Sequence, residues 1–322
     1  MSASSIEWTE VTWNPITGCD RISVGCDNCY ALKMAKRLKA MGAAKYQTDG
    51  DLRTSGSGFG VAVHADVMTE PLRWRTPRKV FVNSMSDIAH ARVSDTDIAR
   101  IFAVMAVAHQ QQFQVLTKRP RRLAKLLARA DFRELMAQSM LFDDGNGGDD
   151  VFDWLAVNAT WPLPNVWLGT SIESDEYCWR ADELRRTPAA VRFLSCEPLL
   201  GPLPSLELTD IDWVIVGGES GPGFRPLNLD WARGIRDLCG AHSVALFFKR
   251  RCGTFIANAL LRAREIVCGA ISLDGGTRTP STLATTPGRG PRAGPVVPGL
   301  STLLTGTAGT ICTWIRTISS KR

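Results

Sequence analysis

The chain has 322 residues, a formal net charge of +6, 44% apolar residues and nine cysteines, a length that allows one large domain or two smaller ones around a sizeable core. No run of eighteen apolar residues marks a membrane span, and the first residues, MSASSIEWTE, lack the basic and apolar regions of a signal peptide, so a cytoplasmic protein with no membrane contact is expected. An odd number of cysteines without the spacing of a small secreted disulfide framework predicts reduced thiols.

The positive charge is unevenly spread. Nine Lys or Arg stand against two acidic residues beyond residue 250, which leaves 29 basic and 30 acidic residues in the first 250. Global charge therefore makes no case for a nucleic-acid partner. Two local basic clusters, Lys33, Lys36, Arg37 and Lys39, then Lys118, Arg119, Arg121 and Arg122, leave a patch open, although solvated helix faces account for most such residues.

In chain order, Glu7 to Thr12 alternates in polarity and predicts a first strand. The stretch Asn14 to Leu38, NPITGCDRISVGCDNCYALKMAKRL, then sets Cys19, Cys26 and Cys29 in a C-x6-C-x2-C pattern, with Pro15, Gly18 and Gly25 as punctuation. A helix follows, with Asp27 or Asn28 as N-cap, Ala31, Met34, Ala35 and Leu38 on one face and Gly42 at its end. Cys29 falls in or beside the first turn, where free backbone N–H groups and the helix dipole favour a thiolate. Three thiolates are one short of the four protein ligands that normally close a structural zinc site or an iron–sulfur cluster. A fourth ligand from His64 or a carboxylate would make the site structural; without one, an open metal position is the mark of a catalytic site.

A Gly- and Ser-rich loop at residues 50–60 precedes strands at Val61 to His64 and Lys79 to Ser84. Ser94 caps a buried helix with Ile98, Ile101, Phe102, Met105 and Val107. Phe113 to Thr117 is a fourth strand, and Pro120 opens a helix through Leu127. The pattern weakens from Asp131 to Pro164, where FDDGNGGDD has the composition of an insertion. Strands at Val166 to Thr170, Val191 to Cys196, Asp212 to Val216 and Val244 to Phe248 complete a set of eight, with helices at Asp175 to Arg186 and Leu229 to Cys239. Leu199 to Leu208 has no helical pattern. The alternation predicts an α/β protein with parallel crossover units, a TIM-type (β/α) barrel, complete or partial, over residues 1–250. A doubly wound open sheet is the competing architecture, without the glycine-rich phosphate motif it would often carry. Residues 251–322, rich in Gly, Pro, Thr and Arg, read as an irregular low-complexity tail, flexible or supplied by a frameshift or fusion.

Two resemblances arise from these motifs. NPITGC followed by GCDNCYA resembles the N-P-x-x-G-C...G-C-x-x-C-Y-A signature of radical S-adenosylmethionine enzymes related to spore photoproduct lyase. The usual spacing there is C-x3-C-x2-C, so the six-residue first gap and Asn28 in place of an aromatic place the resemblance with a divergent branch. Closer still, EWTEVTWNPITGC, VFVNSMSDIAH, VLTKRP, RFLSCEPLLGP and WVIVGGESGPG resemble an uncharacterised bacterial and phage family known as three-Cys-motif proteins, from about Ile6 to Lys249. The resemblance implies a 4Fe-4S cluster on Cys19, Cys26 and Cys29, S-adenosylmethionine at the open iron, a 5'-deoxyadenosyl radical acting on a substrate the sequence does not name, and a reductant protein. It also implies a neighbouring-gene product, the three-Cys-motif partner protein. The rival for the same cysteines is a zinc-stabilised, non-enzymatic phage or mobile-element protein that binds nucleic acid or a protein partner.

Strand ends supply the second constellation. TSIES with Glu173, SCEPL with Glu197 and GGESG with Glu219 each close a predicted strand, and in a parallel barrel all carboxyl ends open onto one mouth. Asn83, Ser84, Asp87, Thr117, Lys118 and Lys249 hold equivalent positions. Asn83, Ser84, Lys118, Glu173, Glu197 and Glu219 are thus candidates for cofactor binding, a carboxylate for an amino group or ribose hydroxyls and Lys118 for a carboxylate or an anionic substrate. Helix capping or rim ion pairs are the alternative. The four histidines show no metal spacing, and Cys178, Cys196 and Cys239 are expected as buried small apolar residues.

Overall fold

The structure, a computed structural model, describes residues 2–4, 6–140, 160–221 and 223–249. The FDDGNGGDD segment and the tail beyond residue 250 lie outside the described residues. One sheet carries β1 (Ser2–Ala3), β2 (Val11–Trp13), β5 (Lys79–Val82), β6 (Gln112–Thr117), β7 (Val166–Ser171), β8 (Val191–Cys196), β9 (Trp213–Val216) and β10 (Ala245–Phe248), side by side in that order. β1 runs antiparallel to β2, and the other seven strands are parallel throughout. β3 (Ile16–Thr17) and β4 (Ala62–Val63) pair apart from it as a short antiparallel ribbon. The expected strand at Val61 to His64 therefore exists but belongs to this ribbon and not to the parallel set.

Parallel strands need long crossovers, and helices supply them. α1 (Tyr30–Ala40) and α2 (Ala65–Met68) lie between β2 and β5, α3 (Asp95–Val107) between β5 and β6, and α4 (Pro120–Leu127) with α5 (Phe132–Met140) between β6 and β7. α6 (Trp179–Arg185) joins β7 to β8, and α7 (Leu229–His242) joins β9 to β10. Ser94 caps α3 by accepting a hydrogen bond from Asp97 N at 3.0 Å. As the sequence predicts, no helix occurs among the described residues between β8 and β9. α5 is an addition to the predicted set: Phe132, Met136, Ala137 and Met140 are buried on one face, and Phe132 meets Phe102 of α3 with ring centroids 5.7 Å apart.

Both faces of the sheet are buried, so its strands read as near-continuous apolar runs. Val80, Val82, Phe113, Val115, Val166, Leu168, Leu194, Val214 and Val216 join the helices in one large core. The opposite face carries Phe81, Trp167, Phe193, Trp213 and Phe247, and Trp8 is set against it. The Trp8 ring centroid lies 4.6 Å from Phe81 on β5 and 6.2 Å from Trp213 on β9. In a flat sheet those strands would be about 19 Å apart, at roughly 4.8 Å per neighbour, and side chains stand roughly perpendicular to the sheet. The sheet is therefore strongly curled about Trp8. No ladder among the described residues joins β10 to β1, and the architecture is an α/β protein compatible with a partial (β/α) barrel.

Gly169 makes room for that curl, since a Cβ there would sit 2.5 Å from the Phe193 ring. Gly169→Ala is expected to lower stability by about 1–3 kcal/mol, the cost of overpacking a filled core; chemical denaturation of the two proteins measures it.

Candidate functional site

The cysteine loop begins as a splice between β2 and the end of β5. Asn14 Oδ1 accepts from Ser84 Oγ and from Met85 N, both at 3.1 Å. Asn83, in the left-handed region at φ 59 that Asn tolerates better than most residues, offers Oδ1 to Ile16 N at 3.3 Å. Its Nδ2 is buried without a hydrogen-bond partner among the described residues. Gly18 follows at φ +85, where a Cβ would lie 2.0 Å from the Gly60 carbonyl oxygen. Only glycine allows the chain to pass here, and Cys19 is the next residue.

From Cys19 onward the loop is fastened to one strand end after another. Asp20 accepts from Thr54 Oγ1 at 2.7 Å, Arg92 Nη2 at 2.8 Å, His90 Nε2 at 2.9 Å and Ser55 Oγ at 3.1 Å. Burial works against its ionisation, but these bonds outweigh it and hold the carboxyl well below the usual carboxylate range. Lys118 Nζ, just past β6, lies 3.4 Å from Ser23 Oγ and 3.1 Å from Glu173 Oε1. Gly25 rests against that pair, since a Cβ there would meet both Glu173 and Lys118 at 3.0 Å. Asn28 donates to Glu219 Oε2 at 2.8 Å and to Gly223 O at 3.2 Å. Arg225 binds Glu219 Oε1 at 2.5 Å and reaches back to Val24 O at 2.8 Å. Tyr30 Oη donates to Ser84 O at 2.5 Å.

Three free thiols sit inside this frame. Cys29 is the N-cap of α1, one to two residues later than the predicted cap, near the N–H groups of Leu32 and Ala31 but with no capping hydrogen bond from its side chain. Burial is the first influence on it and raises its pKa, with those N–H groups pulling the other way. Cys19 is pushed up to about 12, by burial first and then by Asp87, against the pull of Arg119. Cys19 and Cys29 pack with Ala31, Ala35, Phe59 and Met85 in a small apolar cluster of their own, so α1 caps the loop.

The candidate residues divide by availability. Glu173 is fully buried, paired with Arg180 at 2.9 Å as well as with Lys118; burial opposes its ionisation, but the two cations win and lower its pKa. In this geometry it positions Lys118 and presents no free face. Asn83 is 2% exposed and occupied by the loop. Glu197 is half-buried and accepts from Lys249 Nζ at 2.6 Å; Glu219, Lys118 and Ser84 touch the loop directly. Asp87 and Thr117 are bonded to each other at 2.6 Å and buried. Of the cluster from Lys118 to Arg122, Arg121 is on the solvated face of α4, while Lys118, Arg119 and Arg122 are mostly buried. Arg119 donates to Cys19 Sγ at 3.4 Å, Arg121 to Glu183 at 3.0 Å, and Arg122 binds Val93 O and Asp95.

Arg225, Arg180 and Ser23 complete the site without standing out in sequence, where the Phe224–Arg225 pair directly after GGESGPG is the available signal; Asn28, noted there as a helix cap and a departure from the motif, joins them through Glu219. His64, the candidate fourth ligand, has Nε2 2.7 Å from Thr17 Oγ1. Among the described residues no three His, Cys, Asp or Glu side chains are grouped closely enough for one metal ion. A separate cleft of about 290 Å³ beside Trp179 is lined by Asp175, Asp182, Arg185 and Glu207 and by no residue of the cysteine loop. Of the nine large apolar side chains exposed among the described residues, Ile22, Val24, Tyr30, Met34 and Phe224 surround the loop, a concentration typical of working surfaces.

Fold and site together define an α/β protein whose curled parallel sheet carries a three-cysteine loop over the carboxyl ends of its strands. The chain belongs to a protein family of unknown function, DUF5131, whose model matches residues 3–280. No curated protein and no solved structure matches it. Among the described residues, no helix is long and apolar enough to cross a membrane.

Removing a buried partner strands a charge, at about 3–5 kcal/mol. Glu173→Ala should therefore destabilise the protein by that order, read from its urea midpoint, while Glu197→Ala, whose pair with Lys249 leaves 17% and 21% of the two side chains exposed, should cost less.

Proposed function

We propose that this protein is a radical S-adenosylmethionine-type enzyme, with Cys19, Cys26 and Cys29 holding a 4Fe-4S cluster in the mouth of a partial (β/α) barrel. One observation carries the reading: three free thiols on a single loop, seated on the carboxyl ends of parallel strands, the face where such sheets do their chemistry. The donor set fits the group. Thiolates are the usual cluster ligands; burial raises the pKa of Cys19 and Cys29, and Arg119 at Cys19 and the α1 N–H groups and Lys118 at Cys29 pull the other way.

When bound, the cluster and S-adenosylmethionine would supply reductive cleavage of the cofactor and a radical that abstracts hydrogen; the protein's part is binding, orientation and exclusion of water. Glu197 at the rim would receive the cofactor's amino group or ribose hydroxyls by exchanging Lys249, Glu219, buried and bound by Asn28 and Arg225, would do so on releasing both, and Lys118 would receive a carboxylate. Glu173 holds Lys118 in place from beneath. Asn83 and Ser84 act by tying down the loop. The electron comes from a reductant protein, for which the apolar rim of Ile22, Val24, Met34 and Phe224 offers a contact surface.

Anaerobic reconstitution with iron and sulfide should load about four iron per chain, the content of a [4Fe–4S] cluster. Addition of S-adenosylmethionine and dithionite should then release 5'-deoxyadenosine. Cys19→Ala, Cys26→Ala and Cys29→Ala should each lose most of the iron. Stoichiometric zinc bound through a fourth protein ligand, with no iron uptake, would overturn the reading.

A further inference from the structure

The three thiols stand in unequal surroundings. Cys26 Sγ lies 3.6 Å from the neutral Ser23 hydroxyl, and Cys29 lies near backbone N–H groups of α1. Cys19 Sγ receives Arg119 Nη1 at 3.4 Å, and among the described residues it is the one cysteine of the loop with a cationic hydrogen-bond donor. The guanidinium is not free to leave. Nη1 also binds Asp87 Oδ2 at 3.0 Å, and Nη2 binds the Asp20 carbonyl at 3.1 Å.

Asp87 is itself held from four sides. Its Oδ1 accepts from Thr117 Oγ1 at 2.6 Å and Ala89 N at 3.0 Å, and its Oδ2 accepts from Lys118 N at 3.0 Å besides Arg119. Thr117 Oγ1 in turn accepts from Arg119 N at 2.9 Å, and Pro120 opens α4 immediately after. The TKRP sequence thus builds a rigid bracket that projects one cation onto one sulfur. A planar fork with several fixed acceptors is a task for arginine and not for lysine.

We infer that Arg119 is a positioning residue for Cys19, fixing its sulfur at the mouth of the sheet and tuning the charge it carries as a cluster ligand. The inference rests on the iron–sulfur reading and deepens it by making one of the three ligands electronically distinct. Hydrogen bonds to ligating sulfurs and nearby charge set the reduction potential of such clusters. A cation beside the sulfur favours the more negatively charged, reduced state, so losing it makes one-electron reduction harder.

The test is a redox titration of the reconstituted full chain by electron paramagnetic resonance, with iron and sulfide content measured alongside. Arg119→Met is expected to keep its cluster and to become at least tenfold harder to reduce, a shift of about 59 mV to more negative potential for a one-electron couple. Arg119→Lys is expected to recover part of that shift, since charge remains. If the methionine variant does not fold, Arg119→Gln carries the same expectation. A loaded variant with the wild-type potential overturns the inference and leaves the cluster reading standing. A lysine variant shifted as far as the methionine one also overturns it, because a role confined to stapling the loop predicts that result. Failure of the wild type itself to take up a cluster overturns both.

Discussion

Side-chain bonds, with a single 3-10 turn at Val24–Cys26, hold the cysteine loop over the strand ends. Ser23 meets Lys118 after β6, Asn28 meets Glu219 after β9, Tyr30 meets the Ser84 carbonyl after β5, and Arg119 meets Cys19. Each contact alone is a modest hydrogen bond of about 1 kcal/mol net, somewhat more where a charge takes part. Together they contribute a few kcal/mol and fix which way the segment lies. The sulfurs are consequently placed by partners drawn from three separate strand ends, and anything that moves those ends moves the cysteines.

The curl of the sheet makes this possible. Trp8 packs against both Phe81 and Trp213, which draws β5 and β9 toward one another and lets a short loop reach the ends of both. Gly169 yields its volume to Phe193 for the same purpose. Beneath the loop, the buried Glu173 with Arg180 and Lys118 places a fixed charge pattern at the centre of the mouth. Buried ion pairs contribute little net stability compared with apolar packing; their value in this position is that Lys118 points one way.

Much of the fold was legible because a sheet buried on both faces leaves compact apolar runs, and KVFV, VWLGTS, VRFLSC and WVIV are strands where such runs predict them. The first strand was displaced to Val11–Trp13, because Trp8 leaves the strand to plug the sheet, a decision made by tertiary packing. α5 was missed because its apolar positions run straight into an acidic, glycine-rich stretch that dominates the composition. The ribbon of β3 and β4 could not be told from a barrel strand, since pairing partners are not written into four residues. Closure was equally illegible: it depends on long-range contacts between the first and last strands.

The site shows the same division. Three cysteines and three glutamates at strand ends stand out by spacing and repetition, and the structure gathers the cysteines with Lys118, Glu173 and Glu219. Arg225 acts on Val24, 201 residues away along the chain, and Arg119, although part of the VLTKRP motif, acquires its meaning only when Cys19 lies beside it. The proposed chemistry depends on what the sulfurs hold. Anomalous diffraction at the iron edge from anaerobically grown crystals of the reconstituted protein examines that directly. It should show a compact group of iron sites bonded to the sulfurs of Cys19, Cys26 and Cys29, with one iron lacking a protein ligand. A single metal ion with four protein ligands, or no anomalous signal at those sulfurs, would contradict it.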